Sequence, residues 1–222
     1  MVIKIETMEE KKYKLTDEYI KFGGRKLYRI EALKDFSDVK KGDKGGFIEK
    51  EYNLSQEENC WVYDDAIIYD NARVCNDAII YDNAAIYGDA SVYGNAGVSG
   101  QAYACGHAMI LGNARVYDHA VISGSAKVCD NAEIFGDAII YGNANIGNTI
   151  VTNISDYIVF KNWWSSGRYF TWTRRNNMWR VGCFYGTGEE LIAKAYKDCE
   201  LKGKEYERVV KYVESILEDN KK

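Results

Sequence analysis

The strongest pattern in the chain is a rhythm of six residues that fills its middle. Alanine recurs at every sixth position, beginning at Ala66 and ending at Ala144, without a miss. Two residues after each alanine stands another apolar residue, as at Ile68, Val74, Ile80 and Ile86. Gly, Asp and Asn fill the junctions, as in Tyr93-Gly94-Asn95-Ala96. A spacing of two puts the alanine and the aliphatic residue on the same face of a strand. Gly, Asp and Asn tolerate the left-handed dihedrals of a sharp corner. Each hexad therefore predicts one short strand and one corner. A helix is excluded, because six is not a multiple of 3.6. Identical units stack, and each strand bonds to the next coil about 4.8 Å away. The predicted fold class is mainly β, with a parallel β-helix of about five coils over residues 61–152. By the strand spacing its rise is about 22 Å.

Outside the repeat the pattern changes. Within residues 1–60, segments 19–22 and 25–30 read as a hairpin around Gly23-Gly24, which can supply the positive φ angles of a two-residue turn. The stretch Lys40-Lys41-Gly42-Asp43-Lys44-Gly45-Gly46 is rich in turn residues, with Phe47-Ile48 behind it. A small N-terminal β cap is expected here, because the open end of a solenoid exposes apolar core. Within residues 153–222, segment 156–160 reads as a strand. Segments 169–175 and 178–185 read as a hairpin around Asn176-Asn177. Thr187-Gly188-Glu189-Glu190 is a capping box that opens a helix. Gly203 is expected to break that helix. A second helix over 204–219 places Tyr206, Val209, Val210, Val213, Ile216 and Leu217 on one face. The expectation is a small C-terminal α+β domain of a β-hairpin plus two helices.

Taking every third hexad sorts the outward position after alanine into three columns. The first holds Ile67, Ala85, Tyr103, Val121 and Ile139. The second holds Arg73, Ser91, Met109, Lys127 and Asn145. The third holds Ile79, Gly97, Arg115 and Glu133. Only the first is apolar throughout, and Tyr69, Tyr87 and Tyr141 lie on the same side two residues further on. An apolar strip of this length is seldom left wet. Either it is a homo-oligomer interface, or the C-terminal segment folds back over it.

The string VYGNAxVxGxA resembles the hexapeptide-repeat, left-handed parallel β-helix proteins. The likeness rests on the small residue four positions after the aliphatic one, as in Val92 and Ala96. The chain departs from the family in placing Tyr directly after the aliphatic residue. The resemblance implies a left-handed triangular coil of three hexads and a homotrimer. General crossover rules alone favour the other hand. The whole chain also resembles a bacteriophage and prophage group of poorly defined function. The matching strings are YKLTDEYIKFGGRKLYRIEAL, KKGDKGGFIEKEYNLSQ, the VYGNA repeats and GCFYGTGEEL. That likeness implies the cytoplasm of an infected or lysogenic bacterial host.

Composition narrows the classes. The net charge is -4, which favours neither long nucleic acid nor an anionic membrane. No run of about 18 apolar residues exists to span a bilayer. The first residues lack a signal-peptide core. The six cysteines show no CxxC spacing and read as reduced thiols. Proline is absent, as suits a body of strand ladders.

Hexapeptide-repeat proteins are often acyltransferases with a histidine as general base, an extruded loop and acyl-CoA along the prism. This chain has only His107 and His119, each in the corner slot before alanine where other hexads carry Asn or Asp. The repeat extrudes no loop, and two histidines cannot supply a three-histidine zinc site. Cys75, Cys105 and Cys129 take the slot usually held by Tyr and read as packing substitutions. Regular threonine ladders, which an ice-binding β-helix needs, are missing.

The C-terminal hairpin region combines Trp163, Trp164, Trp172 and Trp179 with Arg168, Arg174, Arg175 and Arg180. Rings stack on bases and guanidinium groups grip phosphates, so a nucleotide-like ligand is one reading. A tryptophan-rich core with exposed arginines is the other. The expectation is a non-enzymatic, oligomeric binding protein that sequesters a nucleotide-like ligand, such as a host immune signalling nucleotide. No catalytic residue, cofactor or metal is assigned. The alternatives are an acyltransferase using acyl-CoA and a scaffold or protein-interaction module.

Overall fold

A computed structural model describes residues 11–219. Residues 1–10, where a leader core was sought, lie outside the described residues. The protein is mainly β, a parallel β-solenoid with an N-terminal hairpin, a small antiparallel sheet and two C-terminal helices. No helix among the described residues is long and apolar enough to cross a membrane.

Each hexad forms a strand of two or three residues and a corner. Strands pair in parallel with the equivalent strand one coil on, as Ile67 with Ala85 and Tyr103 with Val121. The three expected columns are thus three sheets. The repeating alanines and the aliphatic residues two positions on point inward and are fully buried. Coil-to-coil amide bonds such as Asn95 N to Gly112 O at 2.8 Å satisfy the backbone along the prism. One corner position has positive φ along the stack, and Gly, Asp or Asn fills it from Asp64 to Asn148. At Gly100 (φ +66) an added Cβ would stand 2.9 Å from the backbone N of Asp118 one coil on, so the stack is tight there.

The solenoid makes about six turns, one more than the alanine repeat marks. Phe47-Ile48 pairs in parallel with Ile67-Ile68, Leu54 bridges to Val74, and Trp61-Val62 pairs with Ile79-Ile80. The lead-in therefore supplies a first turn in which Gly46 and Cys60 hold the alanine slot. In the last turn Glu133 pairs with Ile150, one residue short of the usual eighteen.

At the N-terminal end, strands Tyr13–Phe22 and Arg25–Ala32 form the expected hairpin, with Gly23 and Gly24 both at positive φ. The second strand pairs with Lys44–Ile48, so the hairpin extends the first sheet to eight strands. Lys12 is buried, and its ammonium donates to the carbonyls of Glu57, Glu58 and Cys60 at 2.9–3.2 Å. These bonds tie down the loop that leads into Trp61-Val62, the last strand of the first turn, although burial still pulls the lysine pKa below its ordinary value.

The C-terminal sheet runs Tyr157–Lys161, Tyr169–Thr173, Met178–Val181 and Phe184–Gly186 in that order. Asn177 takes positive φ in the turn. Helix α1 (Gly188–Asp198) starts with the predicted capping box: Thr187 Oγ1 accepts from Glu190 N, and the Glu190 carboxylate accepts from Thr187 N. The break falls at Cys199, and α2 (Glu200–Asp219) contains Gly203. Gly203 is there for packing, because a Cβ would stand 2.3 Å from the ring of Tyr196 on α1. One face of the sheet packs Phe170, Trp172, Trp179 and Val181 against the helices. The other rests on the end of the solenoid. There Asn145 N donates to Thr171 Oγ1 at 3.0 Å, and the Tyr157 hydroxyl donates to Ile139 O at 3.1 Å.

Candidate functional site

The first face carries the apolar column as expected, with its two halves in different states. Over the early coils the N-terminal hairpin lies on it. Leu27, Phe47 and Ile67 form a small buried cluster with Ile20, Tyr69 and Ala85 against it. Phe22 meets Tyr69 with ring centroids 5.5 Å apart, and the Arg25 guanidinium lies over Tyr69 while its fork pairs with Asp70. Tyr69 stacks on Tyr87 at 5.0 Å, and Tyr87 leans on Tyr103 at 6.1 Å. Burial pushes the Tyr69 and Tyr87 phenols above their ordinary range. Beyond Tyr103 the column opens. Tyr103 and Val121 are half-buried, Ile139 is 42% exposed and Tyr141 49% exposed. The segment that covers part of the face is thus the N-terminal hairpin, where the two readings were an oligomer interface and cover by the C-terminal segment. The C-terminal sheet instead caps the end of the prism.

Both histidines sit on solvent-exposed corners. His107 Nδ1 is 3.6 Å from Asp89, and His119 Nδ1 is 4.0 Å from Asp137. His107 follows the first-face strand Tyr103-Ala104, and His119 precedes the first-face strand Val121-Ile122, so the pair flanks the open column on opposite edges. Cys129 is buried, Cys75 and Cys105 are half-buried, and all three are free thiols. Burial raises the pKa of Cys75 and Cys129, which keeps them protonated and poorly nucleophilic. Among the described residues no cluster of three or more His, Cys, Asp or Glu could hold a metal ion.

The tryptophan–arginine group divides. Trp172 and Trp179 are each 2% exposed and belong to the C-terminal core, which corrects their reading as ligand-stacking rings. The edge of Trp179 meets Phe160 and Phe170, and Trp172 Nε1 donates to Asn177 Oδ1 at 2.8 Å. No face is left for a base. Trp163 (77% exposed) and Trp164 (52%) lie in the loop beyond the first strand, with Trp164 Nε1 donating to Glu205 at 2.8 Å. Arg174 and Arg175 are exposed at the hairpin tip. Arg180 pairs with Asp130 of the solenoid at 2.7 Å and lies over Tyr185. The eight residues therefore do not form one site. Trp163 and Trp164 meet edge-on at 5.9 Å, Trp172 and Trp179 are cross-strand partners, and Arg168 and Arg180 border one recess with solenoid residues outside the candidate set, among them Lys127 and Asn145. Lys127 was visible in the second column, but its approach to Arg168 depends on how the C-terminal sheet docks, and no local pattern reports that.

No family model matches the chain. Over an alignment of 79 residues it is 39% identical to "Uncharacterized acetyltransferase YdcK" of Escherichia coli (strain K12). That alignment takes in 29% of this chain and 24% of the relative, so the chain spans about a quarter of the length of the curated protein that it matches. The solenoid is consistent with a hexapeptide-repeat β-helix, and the local likeness points the same way.

Proposed function

We propose that the chain is a self-associating hexapeptide-repeat solenoid that acts by capturing a small nucleotide-like ligand, with a homotrimer as the assembly. The observation that carries this reading is the half-open first column. Tyr103, Val121, Ile139 and Tyr141 form a continuous apolar strip on a rigid prism, and such a strip favours a partner surface of the same kind. The prism supplies the assembly core, and the C-terminal unit supplies cationic side chains near its end. Capture without turnover suits a sequestering role, such as removal of a host signalling nucleotide by a phage. The likeness of the lead-in and ending strings to phage proteins supports that role.

The test is mass in solution. Changing Tyr103 and Val121 together to Lys places two charges in the strip and should convert the wild-type oligomer to monomer in analytical ultracentrifugation. An unchanged mass means that this face is not the interface.

A second reading has its own support. The relative's name includes acetyltransferase, and both histidines lie on the edges of the face through which chains would meet. An assembly through that face brings His107 and His119 to the seam, where a base could serve an acyl acceptor. Turnover of acetyl-CoA that is lost on His107→Ala or His119→Ala would establish this reading.

A further inference from the structure

Where the C-terminal sheet meets the second face of the prism, the two surfaces enclose a cleft of about 290 Å³. Its lining includes three cationic side chains, Lys127, Arg168 and Arg180, and no carboxylate. In a chain of net charge -4 this is a local reversal of sign. The three are held differently. Arg180 is anchored, since its guanidinium pairs with Asp130 at 2.7 Å and stacks on Tyr185, and that partner cancels much of its charge. Lys127 stands on a solenoid strand paired on both sides, so its backbone is fixed. Arg168 ends a loop closed by Asn162 N to Arg168 O at 2.9 Å, and its side chain runs along Gly182. Neither Lys127 nor Arg168 has an ion-pair partner among the described residues. Lys127 and Arg168 thus both border this recess, and Arg168 also borders the neighbouring one formed with Lys194, Asp198 and Lys202.

The remaining lining adds two kinds of surface. Ser125 and Asn143, both exposed, offer polar side chains on the solenoid side. Met109 and the ring of Tyr169 offer apolar and flat contact. Cations with polar donors suit a phosphate, and an exposed aromatic ring beside them suits a planar heterocycle. The volume lies at the small end of the ~300–1,000 Å³ typical of ligand pockets, which limits the occupant to about one phosphate-bearing unit.

Resting on the capture reading above, we infer that this cleft is the ligand site, and that its ligand is a phosphorylated small molecule of the nucleotide class. The phosphate lies between Lys127 and Arg168, and the planar ring lies on Tyr169. The site needs the solenoid and the C-terminal unit together, since each contributes one of the two free cations.

The experiment is calorimetric titration of the full chain with AMP, with adenosine and inorganic phosphate as parallel probes. It is done on the wild type and on Lys127→Ala and Arg168→Ala. Both variants remove side chains without an ion-pair partner, so their melting temperatures should match the wild type. The expected result is that AMP binds the wild type, that each variant weakens it tenfold or more, and that adenosine and phosphate each bind less tightly than AMP. Equal AMP affinity in all three proteins would overturn the site while leaving capture intact. Phosphate binding as tightly as AMP, and lost in both variants, would keep the anion site and overturn the nucleotide class. Failure of every probe to bind the wild type would remove both the site and the capture reading.

Discussion

The solenoid and the C-terminal unit bury their cores by opposite means. Within the prism the inward positions are small or medium, alanine alternating with valine or isoleucine, and each side chain meets its own equivalent one coil away. In the C-terminal unit a few large rings do the work, with Phe170, Trp172, Trp179 and Tyr206 packed between sheet and helices. The first design spreads stabilisation evenly over many identical contacts. The second concentrates it in rings whose removal leaves a large void. A triangular core with alanine inside also has little room to grow, whereas an irregular aromatic core has little room to shrink.

That contrast can be broken by substitution, and the largest effect belongs to the C-terminal unit. Trp179→Ala should cost about 3–5 kcal/mol there. It should melt the unit first and leave the β-sheet circular dichroism of the prism in place. A single cooperative transition for both regions would show that the two cores are not energetically separate. Next comes overpacking of the prism. Ala114→Leu should destabilise by roughly 1–3 kcal/mol, because the inward slot is closed by its neighbours. An unchanged melting temperature would mean that the slot can expand. The smallest effect is on the outside of the prism. Asn95, Asn113 and Asn131 form a ladder, with Nδ2 to Oδ1 distances of 3.2 and 3.0 Å between successive coils. Asn113→Ala should cost about 0.5 kcal/mol, the low end for a hydrogen bond because the ladder is exposed. A loss as large as that of Ala114→Leu would make the ladder a principal support, and the picture of an evenly loaded prism would need revision.

How much could be read from the sequence follows the same division. The repeat was legible because environment in the solenoid is set by position within a hexad, so Ala66 and Ala144 announce the same slot. The columns followed from arithmetic alone. The first turn was missed because Gly46 and Cys60 occupy the alanine slot, and period is invisible without its marker. In the C-terminal unit the strands, the Asn176-Asn177 turn and the Thr187 cap were legible, since each is a local signal. Strand alternation puts Phe170, Trp172, Trp179 and Val181 on one face. What that face packs against was not legible, because contact with Leu191 and Val210 is tertiary. The same limit hid the N-terminal hairpin over Ile67 and the meeting of Lys127 with Arg168. Gly203 misled for a related reason, since a glycine chosen for close helix approach looks the same in sequence as one chosen to end a helix.

The strand registers have a consequence for how such a chain can change over generations. Parallel pairing at an offset of eighteen residues gives the prism a translational symmetry. Duplication or deletion of eighteen residues would lengthen or shorten it by one turn and return every column to its own face. Duplication of six would carry everything downstream onto the next face. Placed between Lys127 and Tyr157, it would dock the C-terminal unit beside a different column and take Lys127 away as a neighbour. Gene rearrangements in this region therefore fall into two heritable kinds: those that adjust height, and those that reassign which surface faces which.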